Sequence, residues 1–200
     1  LIIGLRTTLV NGNAMVVATS GGGKSMFVKL EILMLYLRFT KARFYIVDSE
    51  NEYAPLVQEL GGEVVNISVD SSTYFNPLDF KPDKSTDIPP YVAKAEFVLS
   101  LCEQIMKKEN VLPGDRSLID RALRSIYKPL IESKYTAPCP TIKDLWAALN
   151  SQGDNRSKEL ALALEIFATG SMQVFAQPTN VDMSNRLICF NIQSLGEQLK

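Results

Sequence analysis

Eight consecutive residues, Ala18-Thr19-Ser20-Gly21-Gly22-Gly23-Lys24-Ser25, carry the clearest chemistry in the chain. Glycines lack a Cβ and take backbone angles closed to other residues, so successive N–H groups can converge on one anion. A helix that starts directly after them adds its own free N–H groups and the positive end of its dipole. A lysine at this place reaches the β- and γ-phosphates of a nucleotide as a flexible point charge. The hydroxyl that follows it can ligate Mg²⁺. Thr19, Ser20, Gly21, Gly22, Gly23, Lys24, Ser25 and Met26 are therefore the candidate residues for holding a nucleoside triphosphate. Within them Lys24 is a candidate catalytic cation and Ser25 the candidate magnesium ligand. Ala18 departs from the pattern, which opens on glycine. Its Cβ is tolerable at negative φ, since left-handed angles cost an L-residue roughly 1–2 kcal/mol.

Nucleotide hydrolysis also needs acids, for the magnesium shell and for positioning water. Phe44-Tyr45-Ile46-Val47-Asp48 is an apolar run ending in aspartate, the pattern of a Walker B strand, and Glu50 follows two residues later. Asp48 is thus a candidate metal ligand and Glu50 a candidate catalytic carboxylate. The place of this strand argues the other way. It is the first after the loop helix, whereas in P-loop ATPases with an extra central strand the Walker B strand comes later. Asp48 could equally cap the turn through Ser49 and Glu50, with Tyr53 packing nearby. The late strand, Leu187 to Phe190, ends in Asn191, which cannot serve as an ionised base. The Walker B strand is expected beyond Lys200, and the chain reads as a piece of something longer. Arg116, Arg121 and Arg156 are candidates for a finger donated in trans. Surface pairing of Arg116 with Asp115 and of Arg121 with Asp120 is the competing role.

The elements that must position these groups follow from periodicity. Ala14 to Ala18 reads as a strand, Lys24 to about Thr40 as a helix, and Arg43 to Val47 as a buried parallel strand. Ile32 to Leu37 is too short to span a membrane and reads as a buried helix face. A short helix over Ala54 to Leu60 stops at Gly61-Gly62, and Glu63 to Ile67 is a further strand. This alternation predicts a parallel sheet with crossover helices. Residues 1–12 read as an edge strand or a lead-in. After Pro82, Pro89 and Pro90 the pattern turns helical: Val92 to Lys107, Arg116 to Glu132, Thr141 to about Asn150 and Arg156 to Thr169. Thr141 with Asp144 resembles a capping box. Arg186 to Ile192 returns to a strand. The expected organisation is an α/β core over residues 1–84 and 171–200, with a mainly helical insertion over 85–170.

Composition narrows the chemistry. The 200 residues hold no histidine, so His-based triads and His-ligated metals are excluded. Three scattered cysteines without a Cys-x-x-Cys pair suggest reduced, buried thiols in a cytosolic setting. A net charge of −1 gives no global basic field, so DNA contact has no support from charge.

Several ordered segments resemble one family. After the loop come IVDSENEY (46–53), LGGEVVNIS (60–68), YFNPLDF (74–80), DRSLIDRAL (115–123), PTIKDLW (140–146) and RLICFNIQSL (186–195). Together they resemble the carboxy-terminal domain of the large cytoplasmic ATPase of type IV secretion and conjugation systems. Conjugative coupling proteins and hexameric DNA translocases are similar families. The resemblance covers nearly the whole chain but only the first part of that domain. It implies a RecA-like P-loop α/β fold with a helical insertion, ATP and Mg²⁺ as ligands, and a ring of subunits, a hexamer. It further implies a place at the cytoplasmic face of the inner membrane, beside secretion-channel or conjugation proteins. ATP hydrolysis there powers pilus assembly or substrate transfer. Gly23, Lys24 and Ser25 match the family's phosphate and magnesium positions, and Asp48 and Glu50 match its strand-two acids. A DNA motor and a nucleotide-sensing assembly module without hydrolysis are the alternatives.

Overall fold

A computed structural model describes residues 13–68, 72–80 and 89–195. Nine regular elements follow in chain order. They are α1 (Lys24–Arg38), β1 (Phe44–Asp48), α2 (Ala54–Glu59), β2 (Glu63–Asn66), α3 (Pro90–Met106), α4 (Asp115–Glu132), α5 (Ile142–Ser151), α6 (Asn155–Ala168) and β3 (Leu187–Asn191). The edge strand expected within residues 1–12 lies outside the described residues.

The described strands form a parallel sheet in the order β1-β3-β2. The last strand in sequence is the middle one in space, which its composition explains. Leu187, Ile188 and Cys189 are fully buried because both faces of β3 are covered. Leu187 and Cys189 pack with Val57 of α2 and the half-buried Tyr36, Phe44 and Ile46 on one face. Ile188 packs with Val65, Ile67, Met172, Val174 and Leu195 on the other. Gly62 fits the α2–β2 corner because a Cβ there would stand 2.8 Å from the Leu187 carbonyl oxygen.

Helices α3 to α6 share a second core, which also takes in Leu78. Pro90 opens α3, where a missing N–H costs nothing. In α4 the buried set Ile119, Ala122, Leu123, Tyr127 and Leu130 follows the helical repeat read from sequence. At the start of α5 the Thr141 N–H donates to Asp144 Oδ2 at 2.7 Å, the aspartate half of the capping box.

Two local expectations fail. Residues 14–18 form no strand; they pair with no described strand, and Met15 and Val17 stay exposed. A strand exists by its ladder of hydrogen bonds, and apolar residues alone do not supply one. The stretch Ile32 to Leu37 is also no buried face. No residue of α1 is fully buried, and Met34 and Leu37 are exposed. The helix is held mainly near its C-terminal end. There the Tyr36 ring meets Phe44 edge-on at 5.8 Å, and its hydroxyl donates to the Leu60 carbonyl at 3.2 Å. The Arg186 guanidinium lies 3.7 Å from the Tyr36 ring centroid and donates to the carbonyls of Tyr36, Phe39 and Thr40. It thereby satisfies one last-turn carbonyl of the helix, that of Tyr36, and two carbonyls just past its end at Arg38.

The cysteines are free thiols; Cys102 and Cys189 are buried and Cys139 is half-buried. Burial pushes the thiols of Cys102 and Cys189 up to about 11. At pH 8 the native protein is expected to leave both unlabelled by a thiol reagent over minutes, and the unfolded chain to label at all three. Mass spectrometry of the labelled peptides checks this; rapid native labelling of Cys189 would place it outside the core.

Candidate phosphate-binding site

The loop before α1 has the backbone of an anion cradle. Gly21 stands at φ 75° and Gly23 at φ 78°, both left-handed. Gly22 is required for another reason: a Cβ there would lie 2.9 Å from the Thr19 carbonyl oxygen, to which the Gly22 N–H donates at 2.9 Å. Each of the three glycines is thus needed by geometry. Ala18 is not among the positive-φ residues, so its Cβ is accommodated at ordinary angles.

Gly23 is the N-cap of α1, and no side chain caps that end. The first turn holds no acidic residue. The free N–H groups and the dipole are therefore uncompensated among the described residues, which suits a phosphate. Lys24 is exposed and makes no hydrogen bond or ion pair among the described residues. Ser25 is half-buried. It lies one turn before Lys29, ~6 Å along the helix, on the same face. The Lys29 ammonium sits 5.7 Å from the centroid of the Tyr53 ring. The Ser25 face of α1 therefore looks toward the loop that follows β1.

That loop contains both sequence-predicted acids, and they differ. Asp48 is buried at the carboxyl end of β1. Its Oδ1 accepts the backbone N–H of Glu50 at 3.3 Å and of Glu52 at 3.2 Å; its Oδ2 accepts the Tyr53 N–H at 2.8 Å. Asp48 thus folds residues 49–53 around its own carboxylate, as an aspartate at the head of a turn does. Any magnesium ligation would draw on lone pairs that these donors use. Glu50 is exposed, and its carboxylate engages no partner among the described residues. Glu52 adds negative charge to the loop, and burial, then Glu52, then Asp48 raise the Tyr53 hydroxyl above its ordinary value.

Sequence reasoning passed over the amides at the same sheet edge. Asp48, Asn191 and Asn66 are adjacent in register. Asn191 Nδ2 donates to Asn51 Oδ1 at 3.1 Å and to Asn66 Oδ1 at 2.9 Å. Asparagines closing two neighbouring apolar strands were the available signal, but only the register shows that they meet.

The three arginines separate clearly. Arg156 lies against the buried Asp115, donating from Nε to Oδ1 at 2.8 Å and from Nη2 to Oδ2 at 2.6 Å. It also binds Glu159 and the Asn110 carbonyl. Arg116 pairs with Glu96, and Arg124, not Arg121, pairs with Asp120. The pairing expected between neighbours in sequence is corrected on both counts. Asp115 and Arg116 point to different sides of α4: one enters the core and the other stays in solvent. Arg121 holds a long contact to the Gln152 side chain at 3.4 Å.

A parallel sheet whose first helix starts from a glycine-only anion cradle defines a P-loop α/β protein. The family model of the TraG P-loop domain matches residues 4–152, and the chain belongs to that family. Among solved structures, VirB4 of Thermoanaerobacter pseudethanolicus is similar in fold. It has a TM-score of 0.73 at 22% identity, over 96% of this chain and 52% of that one. The chain therefore spans about half the length of that structure. No curated protein matches it. Both matches agree with the resemblance to the ATPases of type IV secretion and conjugation systems. No helix among the described residues is long and apolar enough to cross a membrane.

Proposed function

We propose that the chain is the nucleotide-binding part of a motor ATPase that energises type IV secretion or conjugative transfer, including pilus assembly. The observation that carries this reading is the cradle itself: three successive glycines, each needed by geometry, opening an uncapped helix. Thr19 to Met26 hold the phosphates of ATP, with the free N–H groups of the loop and of the first turn of α1 as donors. Lys24 supplies the charge that neutralises the terminal phosphates. The Ser25 hydroxyl would ligate Mg²⁺, with Asp48 the sequence-predicted acid that would complete its shell. When bound, Mg²⁺ spreads the negative charge of the β- and γ-phosphate oxygens. A carboxylate outside this segment would orient water, and Glu50, exposed in the loop after β1, is the candidate within it. A neighbouring copy in a ring would border the same site, and secretion-channel or conjugation proteins at the cytoplasmic face of the inner membrane would take up the work. In this reading residues 1–84 and 171–200 form the ATPase core and residues 85–170 a helical insertion. The core shared by α3 to α6 supports that division, with Leu78, Phe80 and Phe175 packing onto it from the other segments.

The test is direct. ATP affinity of the intact protein, measured by calorimetry with Mg²⁺ present, is expected to fall at least about tenfold, ~1.4 kcal/mol, in Lys24→Ala. Equal binding by both proteins would remove the site assignment.

A further inference from the structure

An open groove of about 490 Å³ runs between α3 and α4. Val92 and Ala95 line it from α3, and Arg116, Arg121, Arg124 and the acid Asp120 line it from α4. Arg116, Asp120 and Arg124 recur every four residues, so they stand along one face of that helix. Three guanidinium groups against one carboxylate leave the lining with two positive charges, on a chain whose net charge is −1. The acids nearby hold these arginines only at the surface. Arg124 pairs with Asp120 at 3.0 Å and Arg116 pairs with Glu96, with the two arginine side chains 64% and 61% exposed. Ion pairs this exposed contribute little to stability and exchange readily for another carboxylate. Arg121 meets no carboxylate among the described residues; its Nη1 stands 3.4 Å from the Gln152 side-chain oxygen. The Arg124 guanidinium lies 5.0 Å from the centroid of the Tyr91 ring, which favours one orientation of its plane.

We propose that this groove is a docking site for an acidic segment of a protein partner. Carboxylates of that segment pair with Arg116, Arg121 and Arg124, because the planar guanidinium fork matches a carboxylate. An apolar side chain of the segment lies on Val92, which is 45% exposed beside the arginines. Nucleic acid fits the groove less well. Its tight binding draws on many phosphates at once, about 6–10 in strong cases, and the lining offers two uncompensated charges. Tyr91 is half-buried and already set against Arg124, so it presents no open platform to a base. The groove shares no residue with the phosphate cradle, and the proposal stands whether or not the chain hydrolyses ATP.

Fluorescence anisotropy of a short labelled peptide of glutamate, aspartate, serine and leucine, titrated with the intact protein, tests this. Saturable binding is expected at about 100 mM salt, weakening as salt is added. The triple variant Arg116→Ala, Arg121→Ala, Arg124→Ala should bind at least about tenfold more weakly, and so should the wild type toward the matching glutamine and asparagine peptide. Lys158→Ala, which removes an exposed cation of α6, and Lys24→Ala should both bind as wild type does. The triple variant should keep the wild-type urea midpoint, since its pairs are exposed. Absence of saturable binding, or equal binding of the amide peptide or by the triple variant, would overturn the proposal. A lowered urea midpoint in the triple variant would overturn it too, by making the arginines structural. A single-stranded DNA oligonucleotide that displaces the peptide and is itself lost in the triple variant would assign the groove to nucleic acid instead. Self-association of the protein that disappears in the triple variant would assign it to a second copy.

Discussion

Arg156→Ala is expected to cost the protein about 3–5 kcal/mol of stability, the range for breaking a buried ion pair by removing one partner. Asp115 is fully buried, and the Arg156 side chain is 21% exposed. Burial by itself would raise the Asp115 carboxyl. The Arg156 hydrogen bonds, the Leu112 N–H and the guanidinium charge outweigh it and hold the group below its usual range. Desolvation has therefore been met by specific partners, and alanine at 156 takes most of them away. The sign of the pH dependence follows. With its folded pKa depressed, Asp115 contributes stability above its unfolded pKa of about 3.9, and that contribution is lost as pH falls through the folded value. In Arg156→Ala burial would instead raise the Asp115 pKa, so acidification relieves the variant. Urea unfolding should show the widest gap between the two proteins near pH 7 and a narrower one toward pH 4. The double variant Asp115→Asn with Arg156→Met should recover part of the loss, since no unpaired charge stays buried. A gap under about 1 kcal/mol at pH 7 would mean that water reaches Asp115 and that the pair behaves as a surface one. The same pair removes Arg156 from the candidates for a finger in trans, because its donors are spent inside its own chain.

The parts of the fold legible in sequence are those fixed by local rules. The glycine triplet, the helix after it, the α4 stripe and the Thr141 cap each depend on residues within one or two turns. What was not legible depends on pairing across the chain. Residues 14–18 have strand composition but no described strand beside them. Arg186 ends α1 from about 150 positions away in sequence. Asp115 finds Arg156, 41 residues on, in preference to its neighbour Arg116, because helix geometry puts adjacent residues on different faces. Within the candidate site the loop was legible because its chemistry is backbone chemistry dictated by residue type. The roles of Asp48 and Glu50 were not. Two carboxylates two positions apart look alike in sequence, and only burial and hydrogen bonds separate an anchor from an unengaged side chain.

The segment Asn76-Pro77-Leu78-Asp79 lies within one of the stretches that carry the family resemblance, YFNPLDF (74–80), and its chemistry is architectural. Asn76 is buried, and its side chain is fully used. Nδ2 donates to Asp79 Oδ1 at 2.8 Å and to the Pro140 carbonyl at 3.0 Å, and Oδ1 accepts the Leu78 N–H at 3.0 Å. The Lys94 ammonium donates to the Pro77 carbonyl at 2.7 Å, and the Tyr127 hydroxyl donates to that of Leu78. One short turn thus joins the sheet side of the chain, through the Asn76 N–H to Thr179 Oγ1 at 2.8 Å, to α3, α4 and the start of α5. Asn76→Ala keeps that last bond but strands the buried Leu78 N–H and the Pro140 carbonyl. At about 1–3 kcal/mol for each unsatisfied group, the expected loss is about 2–6 kcal/mol. The urea midpoint should fall with an unchanged slope, since the same surface is exposed on unfolding. ATP affinity measured well below the transition should stay within about twofold of wild type, because the bonds of this turn described above all go to residues outside 18–26. Asn76→Asp is the sharper control. It keeps an acceptor for Leu78 but sets a second carboxylate against Asp79 and the Pro140 carbonyl, so it should be at least as damaging as alanine. If Asn76→Asp were instead neutral, the turn would be solvated and its buried hydrogen bonds would not be what holds it.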